Sequence, residues 1–181
     1  MGDLREVPGV LPLAFHVDYW NYLGWEDPLS APFATERQVA YRDAMGMRYI
    51  YTPQFVVGGA QQFGLMDVAA LHHSLDQSAA PQLTMAWSQE GLAVDPAAGA
   101  PSAGFVWLAT FDDRAETEIS AGENRGHTLT YHHPVLSLNR IGVWEGKPLL
   151  LRLDAPEAYG LAVLVADTSG QILGAADWRQ D

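Results

Sequence analysis

The chain changes texture at Pro81, and that change restricts its architecture more than any single motif does. Beyond it, QLTMAWSQEGLAVD, SAGFVWLATFDD, TLTYHH, PVLSLNRIGVW, PLLLRL and YGLAVLVADTSGQILGAA are short runs rich in aromatic and β-branched residues, broken by Gly, Pro, Asp and Asn. Such runs with turn residues between them predict an antiparallel, β-rich portion over residues 81–181. Asp167, Thr168, Ser169 and Gly170 predict a tight hairpin joining the last two strands. The stretch AVDPAAGAPSAG, mostly small residues with Asp95 its single charge, predicts a loop between strands. No constant period suggests a solenoid or propeller.

Residues 1–80 read differently, as strand, loop, helix, strand, helix. VLPLAFHV, from Val10 to Val17, is a nearly continuous apolar run after Pro8 and Gly9 and predicts a parallel strand covered on both faces. DYWNYLGWEDPLSAP predicts an ordered loop packed by its own aromatics. FATERQVAYRDAM predicts a helix from Phe33 to Met45, with Phe33, Arg37, Ala40, Tyr41 and Ala44 on one side and Gly46 as its stop. Glu36, Arg37, Arg42 and Asp43 are expected mostly in solvent or beside other charges. Phe55 to Val57 predicts a strand, with Thr52-Pro53 before it and a Gly58-Gly59 turn after it. DVAALHHSLDQSA predicts a second helix with Val68, Leu71 and Leu75 on its apolar face. This alternation argues for α/β layering, yet two strands alone do not make a stable sheet.

Hydrophobic residues make up 48% of the chain and charged residues 18%, which predicts a well-filled core. The net charge is −12 and every basic residue but Lys147 is an arginine, without a stripe that would neutralise a nucleic-acid backbone or an anionic membrane. Nucleic acid is therefore not an expected partner, and no apolar run is long enough to predict membrane insertion. MGDLREVPGV lacks the features of a signal peptide. There is no cysteine, so no disulfide and no thiolate nucleophile can come from these residues.

The chief site-like cluster is AFHVDYWNYLGW, which places His16, Asp18, Tyr19, Trp20 and Trp25 at or after the carboxyl end of the first predicted strand, where open α/β sheets bind ligands. The structural alternative is a loop held by hydrogen bonds from His16 and Asp18 above space-filling aromatics. Thr52 and Pro53 form a second contact candidate, since a proline opening a strand leaves backbone available to an extended ligand. GENRG makes Glu123 and Arg125 secondary polar candidates, as a ligand clamp or as an ion pair within a turn. His72-His73 and His132-His133 are adjacent pairs whose side chains diverge, so no metal site and no cofactor is expected. Asp112, Asp113, Glu116 and Glu118 lack a spacing that specifies paired catalytic acids. No nucleophile elbow, phosphate loop or dinucleotide fingerprint is present.

LAFHVDYWNYLGWEDPLSAPFATERQVAY, YIYTPQFVVGG, GENRG, GVWEG and ILGAA, in that order, resemble the bacterial secreted, thioredoxin-like family called domain of unknown function 1223. The resemblance runs across almost the whole chain. It implies an α/β fold: an incomplete thioredoxin-like portion over residues 1–80, followed by a β-rich, sandwich-like portion over residues 81–181 packed against it. It further implies a cis-proline at Thr52-Pro53 and a periplasmic or secreted location. Relative to the family pattern, the first strand, its cysteine-bearing turn and the following helix are missing ahead of Val10. The expected function is binding or interaction without intrinsic redox chemistry, toward a peptide or protein partner or by self-association through the incomplete sheet. One alternative is a fragment of a thiol-disulfide oxidoreductase whose cysteine pair lies upstream. Another is a hydrolase using His16 and Asp18 with an unidentified nucleophile, so the residues leave enzymatic activity open.

Overall fold

A computed structural model of the chain describes residues 2–77, 80–121 and 125–180. It is a mixed α/β, strand-rich fold with 18% helix and 40% strand. Its first helix, α1 (Pro32–Ala44), begins with a proline whose missing N–H would have no helical partner anyway, and the chain turns away at Gly46 with φ +64°. The buried positions are Ala34 and Gln38, one residue along from the side that apolar spacing picks out. Hydrogen bonds set this face: Gln38 accepts from the Tyr19 hydroxyl and donates to the Tyr51 carbonyl and the Gln54 side chain. Arg37 consequently stacks over the Tyr41 and Trp107 rings.

The predicted strand at Phe55 extends by one residue as β1 (Gln54–Val57) and pairs antiparallel with β2 (Gln61–Gly64), which the sequence reading did not anticipate. Gly58 and Gly59 turn this hairpin. At Gly59, φ is +70° and a Cβ would lie 2.1 Å from the Gly170 carbonyl oxygen. Only glycine permits so close an approach of two backbones. A short 3-10 turn, Leu65–Asp67, leads into α2 (Val68–Asp76). Leu71 and Ser74 are its buried residues, whereas Val68, expected on the apolar face, is exposed.

The β-rich remainder comprises β3 (Leu83–Ser88), β4 (Gly91–Pro96), β5 (Gly104–Phe111), β6 (Arg114–Glu118), β7 (Thr128–His132), β8 (Val135–Trp144), β9 (Leu149–Leu151), β10 (Gly160–Asp167) and β11 (Ile172–Arg179). All their pairings are antiparallel. One sheet has the order β11-β10-β5-β8, a second β3-β4-β9, and β6 pairs with β7. The stretch 93–104 is thus loop only after Pro96, because Ala93–Asp95 continue β4 against β3. The turn at Asp167–Gly170 joins β10 to β11 as expected, with Gly170 N–H donating to the Asp167 carbonyl.

The two larger sheets share one core, in which Leu83, Leu92 and Val94 meet Val106, Trp144 and Val163. Along β10 the side chains alternate: Leu161, Val163 and Val165 enter that core, while Ala162 joins Phe111 and Val135 on the opposite face. There they pack against Leu11, Leu13, Phe15 and Phe33. The near-continuous apolar run of β10 reflects burial on both faces.

Val10–Val17 corrects the expectation of a central parallel strand. It is extended, but its sole β pairing among the described residues is a parallel bridge from Ala14 to Pro134. Ala14 N–H donates to the His133 carbonyl, the Ala14 carbonyl accepts from Val135 N–H, the Pro12 carbonyl bonds the His133 ring, and the His16 carbonyl accepts from Ala31 N–H. No backbone partner among the described residues meets Leu11, Leu13, Phe15 or Val17. One edge of the segment is paired and the other is bare, so no ladder forms.

Candidate functional site

Val10–Val17 and β1 both line a cleft of about 1810 Å³. β1 pairs only with β2 among the described residues, so it too lacks a partner strand on one side. Leu71 and Leu75 of α2, together with Leu164 and Leu173 of the main sheet, contribute apolar side chains to a lining that also holds Gln61, Asp76, Gln82 and Gln171. At one end the Trp20 indole N–H donates to the Thr52 hydroxyl at 3.0 Å, joining the aromatic loop to the start of β1. The two walls therefore approach this end from opposite chain directions. At the other end Ile172 N–H donates to the Gly58 carbonyl at 2.8 Å, fastening the β1–β2 hairpin to β11.

Most of the residues expected to form a contact surface meet here. His16, Trp20, Trp25, Thr52 and Pro53 all line the cleft, and the Thr52-Pro53 peptide bond is cis. Tyr19 lies behind them, its ring 5.3 Å from that of Trp20 and its hydroxyl on Gln38. Burial raises the Tyr19 pKa, against the lowering effect of hydrogen bonds with Gln38 and Thr52.

His16 and Asp18, however, form no pair. The Asp18 carboxylate accepts from the Thr35 hydroxyl at 2.5 Å, and its backbone N–H donates to the same oxygen, fixing the loop to the first turn of α1. His16 Nδ1 lies 2.6 Å from Asp27 Oδ2, and its ring packs edge-on to Tyr131 of β7 at 4.5 Å. Burial would push the Asp27 carboxyl up, but hydrogen bonds from His16 and the Leu29 N–H, with the charge of His16, hold it below its ordinary value. The side chains of His16 and Asp27 are only 9% and 16% exposed. Burial, then the nearby Asp27 charge, raise the Tyr131 pKa. The sequence reading missed Asp27 and Tyr131. Asp27-Pro28-Leu29 carries a turn signal, with the Asp27 side chain accepting from Leu29 N–H, but nothing local points to Tyr131.

Glu123 lies outside the described residues, and Arg125 is exposed in the turn before β7, away from the cleft lining. Asp113 pairs with Arg5 at 3.2 Å and Glu116 with Arg114 at 3.1 Å, while Asp112 accepts from Tyr159 N–H. His132 and His133 flank the segment differently, His133 being buried against Pro12. No cluster of three or more His, Asp or Glu suited to a metal occurs among the described residues. No helix there is long and apolar enough to cross a membrane.

Residues 1–166 match the family described as protein of unknown function (DUF1223). No curated protein matches the chain. It is similar to the crystal structure of a structural-genomics target from Agrobacterium tumefaciens, with 29% identity and a TM-score of 0.78; the likeness covers 99% of this chain and 86% of that one.

Proposed function

The chain belongs to the DUF1223 family, and from that premise we propose that it is a thioredoxin-like scaffold that binds an extended apolar segment in the cleft between Val10–Val17 and β1. The observation that carries this reading is that two extended segments, each lacking a strand partner on one edge, line one cleft. A strand spaced about 4.8 Å from each wall would pair with both, parallel to one and antiparallel to the other. Main-chain bonds would supply affinity, and side-chain recesses would supply selectivity. With α2 above and the main sheet below, the occupant would be apolar on both faces instead of alternating. The order of extended segment, α1, β1, β2 and α2 supports the thioredoxin-like assignment for residues 1–80. Residues 81–181 form the β-rich portion that closes the floor, and a periplasmic or secreted setting follows from the family resemblance.

Titration with a lysine-tagged peptide of about six valine and isoleucine residues tests this reading. Saturable binding is expected, as is its loss when alternate peptide amides are N-methylated, because methylation removes ladder donors and leaves apolar area intact. Equal binding of the methylated peptide would contradict strand pairing.

A second reading has the occupant supplied by the same polypeptide, as an upstream strand carrying the cysteine pair of a thiol-disulfide oxidoreductase. The volume of the cleft, about 1810 Å³, favours it, since a permanent strand there would complete the core between α2 and β10–β11. Intact mass and N-terminal sequencing of the protein from its native host separate the two: an upstream cysteine pair selects the second, and a mature start at Met1 the first. The hydrolase reading has no His16–Asp18 contact to rest on.

A further inference from the structure

We propose that Arg37 of α1 is the receptor for a carboxylate on a small apolar molecule, seated in a recess between α1 and the β10–β11 turn. The side chain is half-buried, and its Nη2 is covered without a hydrogen-bond partner among the described residues. Arg5, Arg42, Arg114 and Arg179 each pair with an acidic residue, and Arg48, Arg125, Arg140 and Arg152 are exposed. Among the described residues Arg37 is therefore the one arginine partly withdrawn from solvent without a counter-charge, in a chain whose acids outnumber its bases by 22 to 10. Its Cζ lies 4.6 Å from the Tyr41 ring centroid and 5.2 Å from that of Trp107. Those contacts hold the cation in place but leave its charge uncompensated. A cation in that condition is costly, and an anion seated beside it offsets the cost.

The recess holds about 230 Å³ and is lined by Arg37, Tyr41, Phe105, Trp107 and the Asp167–Gly170 turn. That volume is below the roughly 300 Å³ at which pockets for drug-sized ligands begin, and three aromatic rings in its wall favour an apolar body. Asp167 restricts the ligand's charge. Its Oδ1 accepts from the Ser169 N–H and hydroxyl and from the Gln171 N–H, so it is engaged by its own turn rather than by Arg37. It still stands in the wall as a negative charge whose repulsion grows with that of the ligand, which favours a singly charged carboxylate over a doubly charged phosphate. A carboxylate also matches the planar N–H fork of a guanidinium. This site depends on neither bare strand edge. Arg37 also borders the cleft, however, so the same carboxylate has a second source in an acidic group on the cleft's occupant.

The experiment titrates the full chain with benzoate and, separately, with benzamide, which has nearly the same shape and no charge. Affinity is read by calorimetry, and the bound position by ring-proton shifts of Tyr41 and Trp107. Benzoate should bind at least about tenfold more tightly than benzamide, and Arg37→Met, its folding checked by the melting transition, should abolish that preference. The preference in the unsubstituted protein tests the proposal even where the variant does not fold. Equal affinities, a preference that survives Arg37→Met, or no binding of benzoate overturns it. Competition with the lysine-tagged valine and isoleucine peptide carrying one added glutamate, against its glutamine counterpart, separates the two sources. Benzoate that stays bound beside both is the result expected of a free acid in the recess. Displacement by the glutamate peptide alone overturns the free acid and assigns the carboxylate to the cleft's occupant. A peptide that does not bind at all removes the strand-binding reading and leaves the benzoate result standing.

Discussion

His133 takes φ +48°, a backbone conformation that costs most residues energy, and it is 1% exposed. It is held there because its ring Nδ1 is 2.9 Å from the Pro12 carbonyl and its backbone bonds both Ala14 and Asp113, tying Val10–Val17 to the β-rich portion. Burial lowers its pKa, Arg179 and Arg5 add to this, and the Pro12 bond and Asp113 oppose it. Its folded pKa therefore lies below the unfolded imidazole value of about 6.5, and the folded state binds fewer protons between the two. Its stabilising contribution is complete above about pH 6.5 and declines as pH falls toward the folded value. Denaturant midpoints measured from about pH 8 down to about pH 5 should fall, and His133→Asn, which tolerates positive φ, should flatten that slope. Asp27 has the opposite shift in kind: its depressed pKa gives stability above about pH 4 that is lost as pH falls through the folded value. Asp27→Ala should cost about 1–3 kcal/mol at neutral pH in chemical denaturation, since it strips partners from His16 and Leu29 N–H. His16, Trp20, Trp25, Thr52 and Pro53, singled out from the sequence, line one cleft because they lie close to element ends. That His16 and Asp18 would hold the loop by hydrogen bonds was legible, but their separate partners, Asp27 and Thr35, were not, because partners in a compact loop are set by where the chain folds back.

At the scale of elements, the β1–β2 hairpin depends on Gly59 touching the β10–β11 turn. Gly59→Ala should destabilise by about 1–3 kcal/mol, read from the thermal transition, because the new methyl meets the Gly170 carbonyl oxygen and the residue must keep a positive φ. An unchanged transition would mean that the two turns are not in contact. α1 was legible from its residue spacing and Gly46, although it begins one residue earlier at Pro32, which was read as loop; its inner face was not legible, since Gln38 is buried by three hydrogen bonds that no apolar pattern announces. Val10–Val17 was misread for a related reason. Its composition is that of a buried strand, and its apolar side chains are indeed packed, but a ladder requires a partner edge that these residues do not contain.

Across the whole molecule, the sheets built from residues 81–181 were legible as β structure because their turn residues and apolar runs are local. Their order was not, the β10–β11 hairpin apart, since β5 pairs with β10 and β8 through contacts far apart in sequence. The core they share should resist change: Val163→Ala should cost about 2–4 kcal/mol in chemical denaturation, because Val163 is fully buried within the joint core of the two main sheets. The cleft belongs to this scale also, arising where the α/β portion leaves two strand edges unjoined above the main sheet. The most direct test of that account is residue-resolved amide hydrogen exchange with and without the valine and isoleucine peptide. In the free protein Leu11, Leu13, Phe15 and Val17 should exchange faster than Ala14, whose N–H is bonded to His133, and saturating peptide should slow all four. Binding that leaves these four amides exchanging at their free rates would contradict a strand-accepting cleft.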